Sequence, residues 1–334
     1  MKLRLNHRLA SCFALAAALL LLTACAQRGG NLGEISILSA PRGGGGGERL
    51  VVLMITDNTD HQHPNRGAGS ITDGVTKNAE WMDAFFQRVR SATGMRVDVH
   101  KIAGTASAGD PFTCDNIVRT IKTLPVARGD AVMVYYAGHG FNIGAGDPGR
   151  AASQIARYAP SEFQDRPLTH FPFLACGTTV NATPNLDMIA AWLAEKKPRL
   201  TIVMADACNS FDSGSGSAPD PASGAGNRTL MEDLRLRGLF VEARGTVLMT
   251  SSQRGRFSYY GTGLFNSGGL FTRQFLNVLN AMPPGQPATW RDVGQRLTPM
   301  VVRVRNSMSG RGGTDVQTPL FHEGGPFATA LGTR

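Results

Sequence analysis

Four stretches of this chain are apolar almost from end to end: "RLVVLMIT" (49–56), "AVMVYYA" (131–137), "LTIVMADA" (200–207) and "GTVLMT" (245–250). A strand with one wet face alternates polar and apolar residues, because successive side chains point to opposite faces. Runs without that alternation belong to strands covered on both faces, the situation of parallel sheets. A further run, "MRVDVHKI" (95–102), does alternate and reads as a strand nearer an edge. Helical spacing separates the runs. Between 73 and 94 the apolar positions are Val75, Ala79, Met82, Phe85, Phe86 and Val89, followed by Gly94 as a stop. Helical patterns recur at "TCDNIVRTIKTLPV" (capped by Thr113 or Asp115), "NLDMIAAWLAEKKP", "GGLFTRQFLNVLNAM" and "WRDVGQRLTPMVVRVRNSM", and "TPLFHE" is a short late strand. The expected class is α/β, a mostly parallel central sheet of about six strands with helices on both faces. Two long irregular stretches interrupt it, at 142–183 and 210–238, the second rich in Gly, Ser and Pro.

The N-terminus stands apart from this pattern. "MKLRLNHRLA" carries Lys2, Arg4 and Arg8 without an acid, and "CFALAAALLLLTA" follows as an apolar run. That run is shorter than the ~20 residues a bilayer span needs, so it reads as a signal peptide over 1–24. "LTAC" resembles a bacterial lipobox, which implies lipidation of Cys25; plain secretion is the alternative. The Gly-rich stretch 25–47 reads as a flexible tether, and 48–330 as the folded domain. Ala26 is not the acid that resembles an inner-membrane retention signal, so export to the periplasmic side, with the outer membrane favoured, is the expectation.

The formal net charge is +9, of which the signal supplies three, and no dense Lys/Arg cluster accompanies it. Nucleic-acid binding is therefore not expected. Of five cysteines, Cys12 leaves with the signal and Cys25 takes the lipid. Cys114, Cys176 and Cys208 remain, an odd number for an oxidising compartment. No CxxC or HExxH spacing occurs, and no metal or other cofactor is expected.

In open parallel sheets the ligand site lies outside the carboxyl ends of the strands. The third strand ends in "AGHG" and the fourth in "MADAC", which delivers His139 and Cys208 to one edge. A thiolate is a nucleophile, and an imidazole can take its proton. The backbone N–H groups of Gly140 and Cys208 are candidates for an oxyanion hole. A strand-end Cys is more often a core residue and a strand-end His more often a satisfied polar group; the pair together favours catalysis.

"VMVYYAGHG" followed by "TIVMADACNS" resembles the caspase-like cysteine peptidases (peptidase family C14, clan CD), metacaspases most closely. "GTVLMTSSQRGRFSYY", "GGLFTRQFLNVL" and "QTPLF" are similar to that family's later elements, so the likeness covers roughly 48–325. It implies the caspase–haemoglobinase fold and an endopeptidase acting through His139 and Cys208, with a polypeptide substrate cut after Arg or Lys. It also implies a substrate pocket containing Asp206, Ser251 and the position of Asn78. Two departures stand out: Asn209 follows the cysteine where the family has His, and Asn78 stands where it has a second pocket acid. Asp57, Asp60 and Asp73 lie near enough in sequence to replace that acid, although turn and cap roles suit them better. Arg228, Arg235 and Arg237 are candidate self-cutting positions, against a plain surface insertion as the alternative. Cys114 and Cys176 should both lie at the carboxyl edge, as a disulfide that leaves Cys208 a thiol or as two buried thiols. Calcium activation and oligomeric state are left open by the sequence. The competing functional class is a catalytically silent caspase-like adaptor at the cell envelope; a thiol-directed peptide probe separates the two, since only an active site labels Cys208.

Overall fold

A computed structural model describes residues 48–60, 70–104, 111–144, 153, 170–176, 183–211, 216–219, 233–262, 268–309 and 317–324. All lie in the second of two units of the chain, Gly47–Arg334. The expected signal peptide, Cys25 and the tether fall outside the described residues.

The described strands and helices follow in the order β1 (Arg49–Thr56), α1 (Thr72–Thr93), β2 (Arg96–Ala103), α2 (Cys114–Thr123), β3 (Ala131–Ala137), β4 (Gly140–Phe141), β5 (Phe173–Leu174), α3 (Leu186–Glu195), β6 (Leu200–Asp206), β7 (Gly216–Pro219), α4 (Leu234–Arg237), β8 (Gly245–Thr250), β9 (Tyr259–Thr262), α5 (Leu270–Ala281), α6 (Trp290–Ser309) and β10 (Leu320–Gly324). Six strands form one sheet in the order β10-β8-β6-β3-β1-β2. Five run parallel, and β10 lies antiparallel on β8. This is the mostly parallel, helix-covered sheet that the apolar runs require.

The uninterrupted apolar strands have a simple cause. Alternate residues of each strand feed two separate cores. Leu50, Val52 and Met54 of β1, Met133 and Tyr135 of β3, and Leu200, Ile202 and Met204 of β6 pack with α1, α5 and α6. Val51, Leu53 and Ile55, Val132, Val134 and Tyr136, and Val203 and Ala205 pack on the other face with α2 and α3. Helix ends follow their signals. Thr113 accepts a hydrogen bond from Asn116 N–H at 3.2 Å and starts α2, and Asn185 does the same from Met188 N–H at 2.8 Å for α3. Gly94 closes α1 in the left-handed region (φ 72°), a conformation glycine adopts without penalty.

Small elements depart from expectation. The stretch expected to be irregular from 142 contains β5, which pairs antiparallel with β4 just after the third strand. The second stretch contains β7, paired parallel with β9, and α4, which runs into a π-helical turn over Gly238–Glu242.

Strand order reverses beside β1: the chain passes outward to β2, then returns through β3, β6 and β8. The crevice at such a reversal, at the carboxyl edge, is where a site is expected. The segments leaving β1, β3 and β6 all emerge there.

Candidate active site

The backbone register sets the geometry. Ala137 of β3 pairs with Asp206 of β6, so His139 and Cys208 each lie two residues beyond a paired position. Gly138 N–H donates to the carbonyl of Asp206 at 3.3 Å. Gly140 sits so close behind the nucleophile's strand end that a Cβ there would run into the Cys208 carbonyl and come within 2.9 Å of the Ala207 side chain. Gly140 thus lets the "GHG" turn approach residues 207–208 closely, while a Cβ at Gly138 would meet the Tyr136 hydroxyl and Asp57. Glycine is required at 140 because nothing larger fits, not because of an unusual φ.

The His139 loop is braced from three sides. Its carbonyl accepts hydrogen bonds from the Tyr136 hydroxyl (2.6 Å) and from Ala175 N–H (3.0 Å). Ala175 precedes Cys176, whose sulfur is 2.05 Å from that of Cys114 and whose carbonyl accepts from Cys114 N–H at 3.0 Å. The ring itself meets a carboxylate: His139 Nε2 lies 2.6 Å from Asp60 Oδ1. Both side chains are buried. A carboxylate only accepts, so Nε2 carries the proton and Nδ1 is left as the basic nitrogen. Burial alone would push the Asp60 carboxyl up. The hydrogen bond and charge of His139, with hydrogen bonds from Ser70 and Ile71 N–H, outweigh it and hold the group at about 2.

Cys208 is buried and stands outside the disulfide. Its sulfur faces the main chain of Ser258: the thiol points at the Ser258 carbonyl at 3.6 Å, and Ser258 N–H donates to Sγ at 3.3 Å. Ser258 also donates its hydroxyl to Asp206 Oδ1 at 2.9 Å, which ties the thiol's wall to the carboxylate below.

Asp206, Asn78 and Ser251 lie together under this edge, all fully buried. Asp206 Oδ2 accepts from Thr272 N–H (3.0 Å), the Thr272 hydroxyl (2.7 Å) and Asn78 Nδ2 (3.2 Å). Burial drives the Asp206 carboxyl upward, and the hydrogen bonds from Thr272, Ser258 and Asn78 only partly oppose it. Asn78 turns its other atom to Gly269 N–H at 2.8 Å and so links Asp206 to the start of α5. Its amide does what the acid expected there could not: it donates to one neighbour and accepts from another. Ser251 brackets the nucleophile's strand end, its hydroxyl donating to Ala207 O (2.7 Å) and accepting from Ala207 N–H (3.0 Å). Asn209 is likewise occupied, donating to the carbonyls of His170 and Ser252 and accepting from Asn142.

The other candidate residues take structural roles. Asp60 pairs with His139 rather than lying in a pocket for a basic residue. Asp73 sits in the first turn of α1, where a negative charge suits the helix dipole. Arg235 is buried, bound to Asp233 and to the carbonyls of Leu279 and Met282, and Arg237 ends α4. Arg235 is therefore no accessible cutting point, and Arg228 lies outside the described residues. Sequence reasoning missed Ser258 and Gln317. Gln317 is buried and reaches Ser251 O, the Ser258 hydroxyl and Tyr259 N–H. No local pattern marks either residue, since both act on partners far away in the chain.

A mostly parallel α/β sheet with an imidazole and a thiol leaving adjacent central strands at one edge defines a caspase-type domain. The family model for the caspase domain of peptidase family C14 matches residues 71–324, and the chain belongs to that family of cysteine peptidases. Comparison with curated proteins finds no match.

Proposed function

We propose that this protein is a cysteine endopeptidase that uses Cys208 as nucleophile and His139 as general base and acid. The observation that carries this reading is the paired register of Ala137 and Asp206, which sends both residues from equivalent offsets over the same edge. In the proposed reaction His139 Nδ1 takes the thiol proton and Sγ attacks the scissile carbonyl carbon. The oxyanion rests on the N–H groups of Gly140 and Cys208. Collapse breaks the C–N bond, His139 returns its proton to the leaving amine, and a thioester remains. Water, deprotonated by His139, attacks the thioester and releases the acid and the thiol.

A preference for Arg or Lys before the cut follows from Asp206. It is a buried acid with neutral donors and no paired cation among the described residues, so a positive side chain brought above it would favour its ionised form and be attracted by it. In the same reading the N-terminal segment is processed at Cys25 and the tether holds the domain off a membrane surface on the periplasmic side.

The test is hydrolysis of Arg- and Lys-terminated reporter peptides by wild type and Cys208→Ala. The variant should lose turnover by about 10⁴-fold or more. Wild-type rates from Cys208→Ala would overturn the nucleophile assignment.

A further inference from the structure

Asp60 belongs to none of the elements expected to carry chemistry. It lies four residues beyond β1 in the left-handed region, φ 51°, which Asp and Asn tolerate better than other side chains. A turn residue in that conformation has no need to be buried, yet Asp60 is almost fully so. Both its oxygens are committed. Oδ2 accepts from Ile71 N–H at 3.2 Å, at the entry to α1, and Oδ1 accepts from His139 Nε2 at 2.6 Å. One carboxylate therefore joins the end of β1, the start of α1 and the ring that leaves β3.

We propose that Asp60 is a positioning residue for His139: it fixes the Nε2–H tautomer, directs the Nδ1 lone pair to the reacting proton and stabilises the imidazolium formed when that proton arrives. It acts through His139 and touches no reacting atom. The inference rests on the peptidase reading above. Among the described residues, other titratable groups near the His139 loop include Asp57 just beyond β1, which packs on Gly138, Tyr136 on β3, whose hydroxyl donates to the His139 carbonyl, and Cys208 beyond β6. None of them replaces the contact at Nε2.

The chemistry of an amide makes the test sharp. Asn at 60 has one acceptor where two are in use. If its oxygen serves Ile71 N–H, its NH2 faces His139 Nε2 and forces the ring proton onto Nδ1, the nitrogen that must be basic. If its oxygen serves His139, the NH2 opposes Ile71 N–H.

The experiment uses the full-length chain with ¹⁵N-labelled histidine, His139 being assigned by difference with His139→Gln. In wild type the neutral ring should carry its proton on Nε2. In Asp60→Asn the proton should move to Nδ1. Against a Lys- or Arg-terminated peptide, Asp60→Asn should lower kcat by about 10²- to 10⁴-fold with KM changed far less. Asp60→Glu, which keeps the charge, should recover part of kcat and the wild-type tautomer. A wild-type ring protonated on Nδ1 when neutral would overturn the proposal without any variant. So would an Asp60→Asn protein with unchanged kcat and pH profile. A wild type with no Cys208-dependent hydrolysis defeats the peptidase reading instead, and the tautomer still decides whether Asp60 positions the ring.

Discussion

Two buried carboxylates within one site respond to acid in opposite directions. Asp60 is held at about 2, below its ordinary 3.8, so the stability it contributes is complete above the unfolded value and is lost as pH falls through about 2. Asp206 is raised, chiefly by burial, so its contribution is greatest in acid and declines as pH climbs through its folded value. Urea unfolding across pH 2 to 5 should therefore show that Asp60→Asn flattens the fall in stability below pH 4, while Asp206→Asn has no such effect on that limb. Asp206→Asn has its own cost. Each of its oxygens accepts from a donor, so an amide NH2 either opposes Thr272 N–H on one side or forces the Ser258 hydroxyl to turn from donor to acceptor on the other. A loss of about 1–3 kcal/mol is expected, together with a reduced preference for basic over neutral peptides in kcat/KM. A preference that survives unchanged would remove Asp206 from recognition.

The short pieces around the sheet matter more than their size suggests. β4 and β5 make a two-residue pairing, yet β5 leads into Ala175, which holds the His139 carbonyl, and then into the disulfide to the first residue of α2. Replacing Cys114 and Cys176 with Ser releases a cross-link spanning 62 residues. The chain-entropy relation puts its worth at about 4 kcal/mol, and commonly measured losses are about 2–4 kcal/mol. The double variant should unfold at lower denaturant, and its kcat should fall because Ala175 no longer holds the "GHG" turn. Full turnover in a destabilised variant would show that the turn holds itself. Gly140→Ala makes a second test of the same element. The new methyl meets the backbone of Cys208 on β6's extension and Ala207 beside it. It should abolish hydrolysis while circular dichroism still shows the α/β signature, since the clash is confined to the strand ends.

On the scale of the whole chain, burial explains which parts could be read in advance. The central strands were legible because a strand feeding two cores admits almost no polar residue, and the helices because one face of each must be apolar. Cys208 and His139 were legible because the carboxyl edge of a parallel sheet collects what its strands end in. The Asp60–His139 contact was not, because it joins residues 79 apart through a turn that no periodicity marks. Ser258 and Gln317 stayed hidden for the same reason, and β4, β5, β7 and β9 because two- and four-residue strands carry too little pattern. The boundary near residue 48 yields a whole-molecule prediction: a chain beginning there should melt at the same temperature as the full-length protein, and a clear drop would place part of the core upstream. Finally, the connection between β6 and β8 divides the site's parts into two sets. Asp60 and His139 precede it and Cys208 stands at its very start, while Ser258, Thr272 and Gln317 follow, and six consecutive parallel pairings from Leu200 with Gly245 to Ala205 with Thr250 hold the two sets together. Severing the polypeptide between Phe211 and Asp233 would leave a two-fragment molecule annealed along that seam, with its machinery still assembled from both pieces.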